Sequence, residues 1–350
     1  MQSAVLESYL RERMGDVRID RIVRSFPGFS RETWLVWFSG GDGTDGVVVR
    51  ADPPGGSITP TPLEREWRLY ETLCRTEIPV ADALWYDSDP APTEGRPLFV
   101  RKLVDGSTYL PGLHDQTAEA ALRRRRVAEE HAEKLAMLHK MDWRAAGFGA
   151  FLSIPESPQE AIRHEVQTWA DIWTEVKTEP FPVVTEALGW FEANLPPAGG
   201  AALSLCKGQN GIGEEIWRND RIVAFSDWEL ASIGDPGSDW ALTQGMLDLW
   251  DRKAILAHYQ SITGFSIPPE NFAFYRVWDI FKSLCVLNAG LRAFLNGKNT
   301  TLARATLGFG KVKVFEHLLG QVIEMDLEQA ANLVLNWRKN PYHDARVSGG

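Results

Sequence analysis

The sequence predicts a two-lobed α+β fold, with a small antiparallel-sheet lobe over residues 1–105 and a mainly helical lobe over residues 106–350. Three observations predict it. Short runs rich in Val, Ile, Trp and Phe, separated by turn residues, fill the chain from Val17 to Val104. From Thr117 onward the apolar residues recur at helical spacing. One island of short apolar runs, broken by Gly208, Gly211 and Gly213, interrupts the helical part between Ala201 and Phe225. A looped insertion on a helical scaffold is where function tends to sit.

Taken in order, strands are expected over Arg18–Phe26, Glu32–Ser39 and Gly46–Ala51. The Gly- and Asp-rich stretch Gly40–Gly46 has the composition of a hairpin loop and lacks the closing Glu of a calcium loop. Leu63, Trp67, Tyr70 and Leu73 mark a helix over Pro62–Cys74, opened by proline in its first turn. Strands Ala83–Tyr86 and Pro97–Val104 follow, and Asp105-Gly106-Ser107 closes the first lobe. Helices are expected near 117–141, 158–176, 181–194, 237–262, 268–295, 300–319 and 326–337. The island holds the runs Ala202–Cys206, Glu215–Trp217 and Arg221–Phe225.

At 350 residues, 44% hydrophobic and 24% charged, the chain can bury a sizeable core and is neither disordered nor fibrous. A net charge of -10 argues against nucleic acid as a partner, since binding phosphate backbones requires clustered Lys and Arg. The basic run Arg123–Arg126 is followed by Glu129, Glu130 and Glu133 and reads as a solvated helix face. Three scattered cysteines give neither a disulfide framework nor a zinc site, so the cytoplasm is the expected location. Residues 1–16 lack the pattern of a signal peptide, and no run of about 18 apolar residues predicts a membrane span. A monomer and a homodimer both fit this composition.

The most specific string is Asp227-Trp228-Glu229-Leu230-Ala231-Ser232-Ile233-Gly234-Asp235-Pro236, with Asp239 after it. It resembles the metal-binding segment of the aminoglycoside phosphotransferase family, also called the phosphotransferase enzyme family, which has a protein-kinase-like fold. Leu63-Glu64-Arg65-Glu66 and Leu135-Ala136-Met137-Leu138-His139 extend the likeness over most of the chain. The resemblance implies phosphoryl transfer from ATP or GTP, with Mg2+, to a small-molecule acceptor.

That chemistry needs positioning and charge neutralisation more than covalent help from the protein. Asp227, at the end of the run Arg221–Ser226, is the expected magnesium ligand, and Glu229 joins it directly or through water. Asp239 precedes a helix expected to start near Trp240 and reads first as its cap. Arg50 ends the run Val47-Val48-Val49-Arg50, where relatives place the lysine that grips nucleotide phosphates; its orienting acid is expected to be Glu66, with Glu64 on a different face. Gly28 and Ser30, in the turn Pro27–Glu32, sit where a phosphate-covering loop belongs. Gly308-Phe309-Gly310-Lys311 lacks the spacing and hydroxyl of a Walker A loop.

The resemblance breaks at the catalytic loop. Where the family reads His-Gly-Asp and, five residues on, Asn, this chain places Lys207, Gly208, Gln209 and Glu214. An amide accepts no proton at neutral pH, so Gln209 cannot be a general base. Glu214 instead adds a second carboxylate for magnesium beside Asp227. Three readings stay open: an acceptor such as a phenol or carboxylate that needs little activation, base work by Glu214, Glu215 or Lys207, or a module that binds a nucleotide or metabolite without turnover. For the acceptor, Trp240, Trp250, Tyr259, Phe272, Phe274, Tyr275, Trp278, Phe281 and Phe294 suit an aromatic molecule, although aromatics at helical spacing are more often core.

Overall fold

The structure, a computed structural model, describes residues 2–25, 30–40, 46–59, 61–196, 201–243, 245–299 and 302–339. It opens with a helix that the sequence reading did not include, α1 (Ser3–Met14), which buries Leu6, Tyr9 and Leu10 on one face. Strands β1 (Val17–Arg24), β2 (Glu32–Gly40) and β3 (Gly46–Ala51) follow. Next come α2 (Leu63–Leu73), β4 (Ala83–Asp87) and β5 (Leu98–Lys102). The strands form one antiparallel sheet in the order β1-β2-β3-β5-β4. Pairing of Trp37 with Gly46 makes β2 and β3 a hairpin, whose tip, residues 41–45, lies outside the described residues.

Alternation decides which way this sheet faces. Trp34, Val36 and Phe38 on β2 are buried and, with Val47, Val49, Leu98 and Val100, close a core against α1. Burying each such side chain contributes about 1.5–3 kcal/mol. Helix α2 packs against β4 and β5 and buries Leu63, Glu66, Leu69, Tyr70 and Leu73. Glu66 is the exception in that apolar stripe, and the cleft explains it.

The helical lobe begins with α3 (Ala118–Lys140), capped by the Thr117 hydroxyl, then α4 (Pro158–Val176) and α5 (Pro182–Ala193). The island supplies β6 (Ser204–Cys206), β7 (Glu215–Arg218), β8 (Arg221–Phe225) and a further strand, β9 (Ser232–Gly234). They pair as two antiparallel ribbons, β6 with β9 and β7 with β8. The expected helix over 237–262 is instead α6 (Gly237–Ala241) and α7 (Arg252–Thr263), because Gly245 takes a left-handed φ of 81° and Asp251 caps a fresh start.

Helix α8 (Pro269–Leu295) is the axis of this lobe, packed on by α4, α6, α10 (Val312–Val322) and α11 (Leu327–Lys339). The expected single helix over 300–319 is observed as α9 (Leu302–Thr306), one π-helical turn, Leu307–Lys311, and most of α10, each running on from the last. Phe274, Tyr275, Trp278 and Phe281 lie inside the α8 core, and Trp240 and Tyr259 lie in a second core reaching from α2 to α7. Those aromatics are therefore interior packing. Among the described residues no helix is long and apolar enough to cross a membrane.

Candidate active site

A cavity of about 870 Å3 lies between the sheet and the island, and an ion network occupies its wall. Arg50 projects from β3, opposite Thr33 on β2 and Phe99 on β5. Its guanidinium lies 2.9 Å from Glu66, donates to Asp227 Oδ1 at 2.7 Å, and reaches Glu229 Oε2 and Thr33 Oγ1 at 3.3 Å each. Glu66 is buried while Glu64 is exposed, since residues two apart on a helix face different sides. Ser30 borders the same cavity; Gly28 lies outside the described residues.

Asp227 takes a φ of 61°, a left-handed conformation that costs a non-glycine residue about 1–2 kcal/mol. Burial alone would raise its carboxyl, but the Arg50 and Lys207 charges and a hydrogen bond shared with Glu214 outweigh that and hold it below the usual carboxylate range. Glu229 behaves oppositely. Burial, with Asp227 beside it, pushes its carboxyl up to about 7 in spite of Arg50. Asp227 and Glu214 thus meet directly, with Glu229 close by. An all-oxygen donor set of this kind suits a hard divalent cation.

The sequence reading missed Arg31. Its fully buried guanidinium donates to Asp52 at 2.5 Å and lies 3.2 Å from Glu66 and 3.3 Å from Glu229. Two arginines therefore share Glu66 and Glu229. No local signal marks Arg31, because Glu229 is 198 positions away in the chain.

Below the network, the island loop hangs from one carboxylate. Asp239 accepts from the amides of Lys207 and Gly208 at 2.7 Å each and from His139 Nε2 at 3.0 Å. His139 reaches it from α3, and its other ring nitrogen meets the Tyr259 hydroxyl of α7 at 2.7 Å. Burial would raise Asp239, but these bonds and the His139 ring together hold it low. Asp239 is thus not the helix cap expected from the sequence: it lies inside α6, and what it ties down is the loop. Gly208 has a φ of 87°, and a Cβ there would stand 2.7 Å from the Leu230 carbonyl oxygen, so the loop needs glycine to approach the Asp227 segment.

Lys207 is buried, its ammonium bonding the Gln209 carbonyl 5.9 Å from the Trp228 ring. Glu214 borders the large cavity. Glu215 does not: it is buried against His131 Nδ1 at 2.6 Å and accepts from the Gly211 amide, which removes it from base work in the cleft. Gln209 is half-buried at the seam between the large cavity and a second one of about 430 Å3, and Leu230, Ile58 and Val286 line both as well.

Comparison with known proteins agrees with this architecture. A family model described as the phosphotransferase enzyme family matches residues 23–275. The chain is 24% identical over 328 residues to a probable acyl-CoA dehydrogenase of Arabidopsis thaliana, covering 84% of this chain and 39% of that protein. Against acyl-CoA dehydrogenase family member 10 of Mus musculus it is also 24% identical, covering 84% of this chain and 28% of that one. The chain thus spans well under half the length of these curated relatives. Among solved structures, a Ralstonia eutropha protein assigned to the aminoglycoside phosphotransferases superposes with a TM-score of 0.66 at 20% identity, over 95% of this chain and 98% of that one. Aminoglycoside phosphotransferase APH(4)-Ia, in a ternary complex with AMP-PNP and hygromycin B, gives 0.57 at 16% identity over 89% and 98%. Wild-type aminoglycoside 2'-phosphotransferase-IIIa in complex with GDP gives 0.58 at 14% identity over 91% and 99%. At these identities the structural likeness is one of fold, a two-lobed kinase-like α+β architecture, and the family match over residues 23–275 adds the lineage: the chain belongs to the phosphotransferase enzyme family.

Proposed function

We propose that this protein transfers the γ-phosphoryl group of ATP or GTP to a small organic acceptor, with residues 1–105 covering the nucleotide and residues 106–350 holding the loops and the acceptor. The observation that carries the reading is the meeting of two cavities at Gln209: a polar one walled by Arg50, Asp227 and Glu229, and an apolar one in the helical lobe. Solved members of the fold hold AMP-PNP or GDP, which supports a nucleotide in the polar cavity.

In this reading Arg50 grips phosphate oxygens through its planar fork, and Glu66 orients it from α2. Asp227, Glu214 and Glu229 would hold Mg2+. When bound, the metal neutralises charge on the phosphates. In the structure Arg50 spans Asp227 and Glu229, so its charge is already satisfied by the carboxylates that would serve the metal. Nucleotide and metal together would give each partner a replacement. The acceptor oxygen bonds to the γ-phosphorus as the bond to the β–γ bridging oxygen breaks, releasing ADP or GDP. A carboxylate or ionised phenol acceptor brings no proton to remove; a hydroxyl passes its proton to Glu214, which borders the polar cavity, or to water, because Gln209 accepts none. Gln209 lines the transfer point; Lys207, expected beside it, borders neither cavity and is buried behind it on the Gln209 carbonyl.

A second reading, a nucleotide- or metabolite-binding module without turnover, draws on that same amide at position 209. Calorimetric titration with ATP and GTP, with and without Mg2+, tests the first. Magnesium-dependent binding that Asp227→Ala weakens at least 100-fold is the expected result. Binding unchanged by that substitution removes the metal assignment, and no binding of either nucleotide removes the phosphotransferase reading.

A further inference from the structure

We propose that the cavity beyond Gln209 takes an acceptor that is apolar along most of its length and anionic at one group, with Lys282 and Lys311 recognising the anion. This rests on the phosphotransferase reading of the neighbouring cleft. At about 430 Å3 the cavity has the size of an ordinary small-molecule site. Leu230, Leu242, Val286, Leu287, Trp169 and Phe315 make its walls apolar. The charged groups among its described lining residues are Lys282, Lys311 and Asp279.

The two lysines arrive by independent routes. Lys282 is buried on α8, its ammonium 2.8 Å from Glu165 Oε1 and 5.2 Å from the Trp169 ring. Glu165 also accepts from the Trp278 indole at 3.1 Å, which fixes the carboxylate in place; it balances the Lys282 charge and leaves the ammonium as a positioned hydrogen-bond donor. Lys311 ends the Gly308-Phe309-Gly310-Lys311 run, which is no phosphate loop but the π-helical turn between α9 and α10. Such single turns recur at functional sites. Here Gly308 presses the turn onto α8, where a Cβ would stand 2.7 Å from that of Leu291, and Lys311 reaches the cavity beside Phe315. Among the described residues Lys311 has no ion-pair or hydrogen-bond partner, whereas Asp279 has a partner of its own. With Lys282 balanced by Glu165 and Asp279 partnered, a polycation entering here meets the unpaired ammonium of Lys311. An apolar acid meets walls and charge that both suit it.

The test is calorimetric titration of the full chain with octanoate, octanol and octylamine, and separately with MgATP. Octanoate is expected to bind at least tenfold more tightly than octylamine, with octanol between them. Lys311→Glu should weaken octanoate at least tenfold and Lys282→Gln severalfold, each variant melting within a few degrees of the unsubstituted protein. Octylamine binding as tightly as octanoate, octanoate failing to bind, or octanoate affinity unmoved in both variants overturns the proposal. Lysine-dependent octanoate binding without any MgATP binding supports the charge selectivity of this cavity and overturns the phosphotransferase reading next to it.

Discussion

The cleft and the loop beneath it use the same kinds of groups but keep the family pattern to different degrees. In the cleft the expected acid and the segment carboxylate, Glu66 and Asp227, both come within 3 Å of the expected cation, Arg50. In the loop, by the resemblance read from the sequence, the carboxylate and the amide exchange places: Gln209 falls at the family's Asp and Glu214 at its Asn. On that matching one carboxylate is moved five residues, to the side of Asp227, and Lys207 adds a cation where the family has His. The difference teaches that gripping phosphates and removing a proton are separable tasks. Phosphoryl transfer depends mainly on positioning and charge stabilisation, and general-base help contributes typically 10²–10⁴-fold on top.

If the loop is a working part rather than a relic, the device that holds it should be under strain when cut. Asp239→Ala leaves the Lys207 and Gly208 amides and the His139 ring without their acceptor, all of them buried. Removing one partner of such a buried set costs about 3–5 kcal/mol. Thermal unfolding should fall by many degrees, and Asp239→Asn, which keeps an acceptor oxygen, should fall by less. A melting temperature unchanged by Asp239→Ala would mean that the loop is held by something other than this carboxylate.

What was legible in the sequence follows the range of the signal. The five-strand sheet and α2 were readable because alternation and helical spacing act within a few residues. The Arg50–Glu66 pair, 16 positions apart, was readable only through the family resemblance. Helix α1 was hidden by its charge, although Leu6, Tyr9 and Leu10 stand at helical spacing. Arg31 and Asp239 act on partners 198 and about 32 positions away, and nothing local distinguishes them from a turn residue and a cap. The aromatics of the helical part read more strongly as core than as an acceptor wall, and most of them lie in the core. The second cavity is bordered instead by Lys282, Lys311, Trp169, Phe315 and aliphatic residues brought together by tertiary contact.

A smaller effect separates a rebuilt loop from one that only lost its base. Gln209→Asp restores the proton acceptor at the seam of the two cavities without disturbing Arg50 or Asp227. Phosphorylation of hydroxyl acceptors, or ATP hydrolysis, should rise about 10–100-fold if the missing base is what limits the rate. Phosphate release and product formation measured side by side decide it. Loss of activity in Gln209→Asp would instead show that the amide has its own task there, such as donating to the transferred group.

The smallest effect concerns the cleft alone and is read without nucleotide or metal. Burial, with Asp227 beside it, pushes the Glu229 carboxyl up to about 7 in the folded protein. In the unfolded chain a Glu titrates at about 4.3. The folded state therefore keeps a proton that the unfolded state releases, and stability falls as pH rises between those values. The contribution is fully present below the unfolded value and is lost as pH passes about 7. Chelator-treated protein should lose about 2 kcal/mol of stability between pH 5 and 8 from this group. Glu229→Gln, which keeps shape and an acceptor for Arg50 while removing the titration, should flatten that part of the profile. A denaturation midpoint that falls equally in both proteins would place the lost proton elsewhere. It would also mean that the cleft holds Glu229 charged at neutral pH, as it holds Asp227, and the difference between the two carboxylates would disappear.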